Sequence, residues 1–141
     1  MAYKLSRWSL DDLFPGMDSA ELETAFDQIE EQVHTFEGVR NKLRADMPAD
    51  DFMHIVKTSE VTARIVHKLD AFAGLTFAAD TQDQSAQSLQ SRVQQFMADM
   101  GNRTLFFSLW WKSLSDAEAK RLMDGAGEYL YYLEEMRNFK P

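Results

Sequence analysis

Chemistry in this 141-residue chain has to come from three histidines, 23 carboxylates and scattered hydroxyls, because the chain contains no cysteine. A thiol nucleophile, a disulfide framework and a thiolate zinc site are therefore excluded. Glu31 and His34 form one Glu-x-x-His pair, the spacing that bundle metalloenzymes use twice, with further inward carboxylates, to hold a metal pair. The second copy is missing. At about 100° per residue, Glu31 sits about 200° from the apolar residue Ile29 and His34 about 100° from Val33, so both are expected to face away from a core. Asp51 and His54 repeat the spacing, and His67 follows Arg64 with no carboxylate before it at ligand distance. No His-Glu-x-x-His is present, so zinc-peptidase chemistry is incomplete in this chain. No Gly-x-Ser-x-Gly elbow, Ser-x-x-Lys pair or glycine-rich phosphate loop occurs either. The adjacent acids Asp11 and Asp12, Glu30 and Glu31, and Glu134 and Glu135 diverge by about 100° on a helix and are read as solubilising exposed faces. No catalytic residue, metal ligand or cofactor site is assigned to the chain.

The elements that would position any site are helical. Apolar residues recur at alternating steps of four and three through Leu22, Phe26, Ile29, Val33, Phe36, Arg40 and Leu43, the stripe of a helix packed lengthwise on another. Asp18 or Ser19 is positioned to cap it, with Glu21 and Glu23 in the first turn. Pro48 ends that pattern, and Asp50 or Asp51 is expected to cap a second helix, of more than about seven turns, along Phe52, Ile55, Val56, Ile65, Val66, Leu69, Phe72, Ala73 and Phe77. Asp80 or Thr81 opens a third, with its stripe at Ala86, Leu89, Val93, Phe96, Met100, Thr104, Phe107 and Trp111. Ser115 and Asp116 cap a fourth carrying Leu122, Ala126, Tyr129, Leu133 and Met136. Ser113 and Thr81 also read as cap residues. Gly38, Gly74 and Gly101 fall inside these helices, each costing up to about 1 kcal/mol relative to alanine, and close helix approach or a kink is the expected reason.

The predicted fold is all-α: one domain over residues 1–141, an antiparallel bundle of about four long helices (18–141) with an N-terminal extended arm (1–17). The arm, WSLDDLFPGMD from Trp8, mixes large apolar residues with Pro15 and Gly16 and is expected to wrap over the bundle. The formal charge of −8, from 15 cations against 23 anions, disfavours phosphate backbones, and Arg40, Lys42 and Arg44 are diluted by Glu37 and Asp46. Nucleic acid is not expected as a partner. No apolar run resembles a signal-peptide core or a membrane span, so the chain is read as cytoplasmic, with no membrane partner.

One stretch exceeds what a two-sided helix needs. Leu105 to Trp111, LFFSLWW, places apolar residues around the whole circumference over two turns. Phe107 and Trp111 belong to the bundle stripe, whereas Leu105 and Leu109 project nearly opposite, with Phe106 and Trp110 on the flank. Tyr129 to Leu133, YLYYL, repeats the situation more mildly, since a tyrosine ring can be covered while its hydroxyl stays in water. Two readings are open: a local layer such as the Trp8 to Pro15 arm covers these rings, or Leu105, Phe106, Leu109, Trp110 and Tyr131 meet a further domain or a second copy of the chain.

In order along the chain, WSLDDLFPG (Trp8 to Gly16), ADTQDQSAQ (Ala79 to Gln87), LFFSLWW and YLYYLEEMRNFKP (Tyr129 to Pro141) resemble the N-terminal region of oligoendopeptidase F and its relatives among the thimet-oligopeptidase-like metallopeptidases. The resemblance spans nearly the whole length. It implies an all-helical parent in which an N-terminal lobe and a zinc-bearing lobe enclose a channel for short peptides. Zinc there is held by a His-Glu-x-x-His helix and a later Glu, in a part that this chain lacks, so the resemblance implies a noncatalytic lobe. Its expected partner is the catalytic lobe of the same protein, with short peptides as the parent's substrates. It further implies that the isolated chain self-associates, as a possible homodimer, through Leu105, Phe106, Leu109 and Trp110. The alternative is a free-standing helical interaction or oligomerisation module.

Overall fold

The computed structural model describes residues 13–138; Trp8 to Asp12 of the expected arm and the terminal Phe139 to Pro141 lie outside them. Among the described residues every regular element is a helix. Helix α1 spans Ala20–Gly38 and is capped as expected: the Ser19 hydroxyl accepts from the Leu22 N–H at 3.2 Å, with Glu21 and Glu23 in the first turn. It ends at Gly38 rather than at Leu43. The Val39 N–H bonds back to the Phe36 carbonyl at 3.1 Å, and a 3-10 turn over Arg40–Lys42 takes over from the α ladder.

Helix α2, Ala49–Ala79, covers 31 residues. Its N-cap is Pro48, held extended at φ −60° and ψ 138°, so Asp50 and Asp51 stand inside the first turn. They complement the helix dipole without capping it. Helix α3, Gln84–Ser113, starts later than expected. Asp80 spends its carboxylate on the Gln82 N–H at 3.1 Å in the preceding turn, and Asp83 caps the helix by accepting from the Ser85 N–H at 2.8 Å. Thr81 caps nothing; its carbonyl accepts from the Gln87 side chain. Ser113 likewise turns back, donating to the Trp110 carbonyl.

The fourth expected helix is two. Ser115 and Glu118 close a reciprocal capping box on α4, Asp116–Met123. The chain then turns through Gly125 and Gly127, whose φ values of 84° and 57° suit only glycine. A 3-10 turn over Gly127–Tyr129 leads into α5, Leu130–Asn138. The bundle is thus three long helices closed at one end by a short helix pair.

Its core is divided. One cluster joins Phe14, the N-terminal half of α1, the C-terminal part of α2 and the N-terminal two-thirds of α3 around Leu22, Ile29, Leu69 and Val93. The other joins the start of α2, the end of α3, α4 and α5 around Phe52, Trp111, Leu122 and Leu133. Between them no α2 residue from Lys57 to Lys68, and no α3 residue from Gly101 to Phe106, is buried. A waist separates the clusters.

Candidate interaction surface

Trp111 anchors the second cluster. Fully buried, it stacks on Phe52 at 5.0 Å, and its indole N–H donates to the Leu133 carbonyl at 2.9 Å. Arg137 reaches back from α5 to donate to the Trp111 carbonyl at 2.7 Å and to Asp116 at 3.0 Å. These bonds lay α5 along α3, and the face of α3 left uncovered looks outward.

That outward face carries the predicted residues. Leu105 and Leu109 are 50% and 55% exposed. Phe106 is half-buried, covered on one side by Phe36 at 5.2 Å and by the Arg40 guanidinium at 5.4 Å. Trp110 is half-buried too, with its ring 6.0 Å from Phe52. Arg40, Leu43, Phe106, Leu109 and Trp110 together border a shallow depression. Tyr131 stands 73% exposed, and Leu130 and Tyr132 beside it are also exposed. Sequence reasoning missed the latter two, although the YLYYL run contained the signal: a helix as short as α5 buries only the edge marked by Leu133. Of the exposed large apolar residues described, Leu109, Leu130 and Tyr131 belong to this end, whereas Val61, Leu105 and Tyr132 stand at or beside the waist.

The arm does not cover these rings within the described residues. Phe14 packs edge-on against Phe72 at 5.1 Å under Lys68, and Leu13 and Met17 join the first cluster, at the other end of the bundle.

The titratable residues do not converge. Glu31, His34, Asp51, His54 and His67 are all exposed, and among the described residues no three His, Asp or Glu side chains gather as a metal would require. Carboxylates serve as struts instead. Arg103 of α3 pairs with Glu37 at 2.7 Å and with Glu30, so Glu30 does more than solubilise an exposed face. The Arg103 guanidinium holds the Glu37 carboxyl below the usual range, and Arg92, bonded to Glu23 through both its terminal nitrogens while lying over Phe26, does the same for Glu23. Arg121 donates to the Ala45 and Met47 carbonyls at 2.6 and 2.7 Å, tying α4 to the α1–α2 connection. Nothing in the sequence pattern pointed to that tie.

At the waist α1, α2, α3 and α5 surround a cleft of about 370 Å³. Small residues make it, Thr58, Ser59, Thr62 and Ala63 of α2 facing Gly101 and Thr104 of α3. A Cβ on Gly101 or on Gly74 would meet nothing within 4 Å, so neither glycine marks the close helix approach that was expected.

Fold and surface together define a helical bundle domain with one sealed end and one apolar end. No protein-family model, curated protein or solved structure matches the chain.

Proposed function

We propose that the chain is the noncatalytic N-terminal lobe of a zinc oligoendopeptidase of the oligoendopeptidase F type, which docks on the catalytic lobe and walls the channel that admits short peptides. The observation that carries the docking role is the grouping of the exposed Leu109, Leu130 and Tyr131 at one end of the bundle, with Leu105 and Tyr132 beside them at the edge of the waist. Apolar residues grouped this way mark a surface built to be covered. The ordered series of motifs from Trp8 to Pro141 supports the choice of partner. In this reading the zinc ion, its ligands and the general base all belong to the other lobe, and this chain contributes shape.

The reading frame beyond Pro141 tests it. An in-frame continuation with a His-Glu-x-x-His segment is expected, and the complete protein should bind one zinc per chain and cleave short peptides while sparing folded proteins. A frame that closes without that segment would sink the proposal. The same exposed residues favour the second reading, a self-associating interaction module, in that case. The isolated chain is expected to self-associate through Leu105, Phe106, Leu109 and Trp110; a strictly monomeric species in light scattering at high concentration counts against that.

A further inference from the structure

The cleft at the waist has the size and lining of a ligand site. Its volume of about 370 Å³ exceeds the ~150 Å³ of an engineered apolar cavity that takes up benzene, and falls within the range of small-molecule pockets. Val33, Val66, Met97, Met100, Phe107 and Met136 supply apolar walls, and the unbranched methionines can adjust to an occupant.

The hydroxyls that border the cleft have a common orientation. Thr58 donates to the His54 carbonyl at 2.9 Å, Ser59 to Val56 at 2.8 Å, Thr104 to Met100 at 2.9 Å and Ser108 to Leu105 at 3.1 Å. Thr62 has two acceptors for its one proton, the Gln32 side-chain oxygen, which is nearer, and the Thr58 carbonyl at 3.2 Å. A hydroxyl has one proton, so all five retain only lone pairs for a visitor. Donors are fewer: the Gln32 amide, the His67 ring and the Tyr132 hydroxyl. Burial, with the Glu60 carboxylate as the smaller cause, holds the Tyr132 phenol in its protonated form to higher pH.

We propose that this cleft binds a small apolar molecule bearing a hydrogen-bond donor, such as an alcohol, an amide or an alkylammonium, and discriminates against carboxylates. An apolar body replaces water against the methionine and valine walls, while the donor meets hydroxyl lone pairs. A carboxylate brings acceptors to acceptors. Gly101 suits the role, because a helix interior gives up roughly 1 kcal/mol at glycine relative to alanine where a Cβ would touch nothing, and the small residue keeps the rim open.

The cleft is built wholly by this chain, so the chain alone tests it, separately from any catalytic lobe. Amide NMR spectra would be titrated with hexanol, hexylammonium and hexanoate. Saturable shifts confined to the cleft segments, residues 32–36, 58–67, 97–108 and 132–136, are expected with the first two, with affinities about tenfold or more above that of hexanoate. Gly101→Leu, or Ala63→Leu should the first variant unfold, is expected to abolish binding by filling the space. Thr62→Val keeps the shape, removes one acceptor and is expected to narrow the preference over hexanoate. No saturable shift with any probe, hexanoate binding as tightly as hexanol, or undiminished binding in a folded filled variant would each overturn the proposal.

Discussion

The two ends of the bundle are built from one set of helices and finished differently. At the first end, Leu22, Ile29, Leu69 and Val93 fill the core and Arg92 ties Glu23 on the outside, while Arg103 at the waist ties Glu30 and Glu37. At the second, rings dominate the core and large apolar residues continue onto the outside. An interior needs one apolar face per helix. The second end has more, and the surplus on α3 and α5 leaves Leu109, Leu130 and Tyr131 exposed.

Trp111→Ala should have the largest effect, a loss of about 3–5 kcal/mol for truncating a buried tryptophan, read by urea unfolding. It removes the Phe52 stack and the bond to the Leu133 carbonyl. The two ends behave as independent units if amide exchange then accelerates only in α4, α5 and the adjoining turns of α2 and α3. Equal acceleration around Leu22 would make them one cooperative core.

Arg121→Met should cost about 1–2 kcal/mol, since charged donors leave two carbonyls of the α1–α2 connection. A normal unfolding midpoint would show that solvent substitutes for the tie. Gly74→Ala and Gly101→Ala should each stabilise by up to roughly 1 kcal/mol, because the added methyl meets open space. A loss at either position would reveal strain in its helix.

The ion pairs of the first end and of the waist predict a pH dependence. Glu37 and Glu23 titrate below the ordinary carboxylate value of 4.5 when folded, so their contribution is present at neutral pH and fades as acid protonates them. Thermal midpoints of the wild type should therefore fall more steeply below pH 4.5 than those of Arg103→Met; parallel curves would remove the argument. The smallest effect on stability, within about 0.5 kcal/mol, is expected for Leu105→Asp with Leu109→Asp, because both side chains already stand in water. Self-association measured by light scattering should nonetheless disappear. A stability loss above that margin would mean the two leucines are covered within the protomer.

Much of the architecture was legible as periodicity. The stripes of Leu22, Phe26, Ile29 and Val33 and of Ala86, Leu89, Val93 and Met100 are buried as their spacing requires, and Ser19 and Ser115 cap where they stand. Boundaries resting on competing local hydrogen bonds were less legible: Asp80 formed a turn where a cap was expected, and Gly125 with Gly127 split one apolar stripe between two helices.

The sequence by itself determined the helices, their buried faces and the excess of rings near Trp111, because side-chain spacing on a 3.6-residue turn is a local property. Only the tertiary structure decided which rings stay uncovered, that the core divides into two clusters with a cleft between them, and that arginines bridge residues distant in sequence. Those outcomes depend on which helix lies beside which, and on whether the side chains meeting at each level are large enough to fill the space between them.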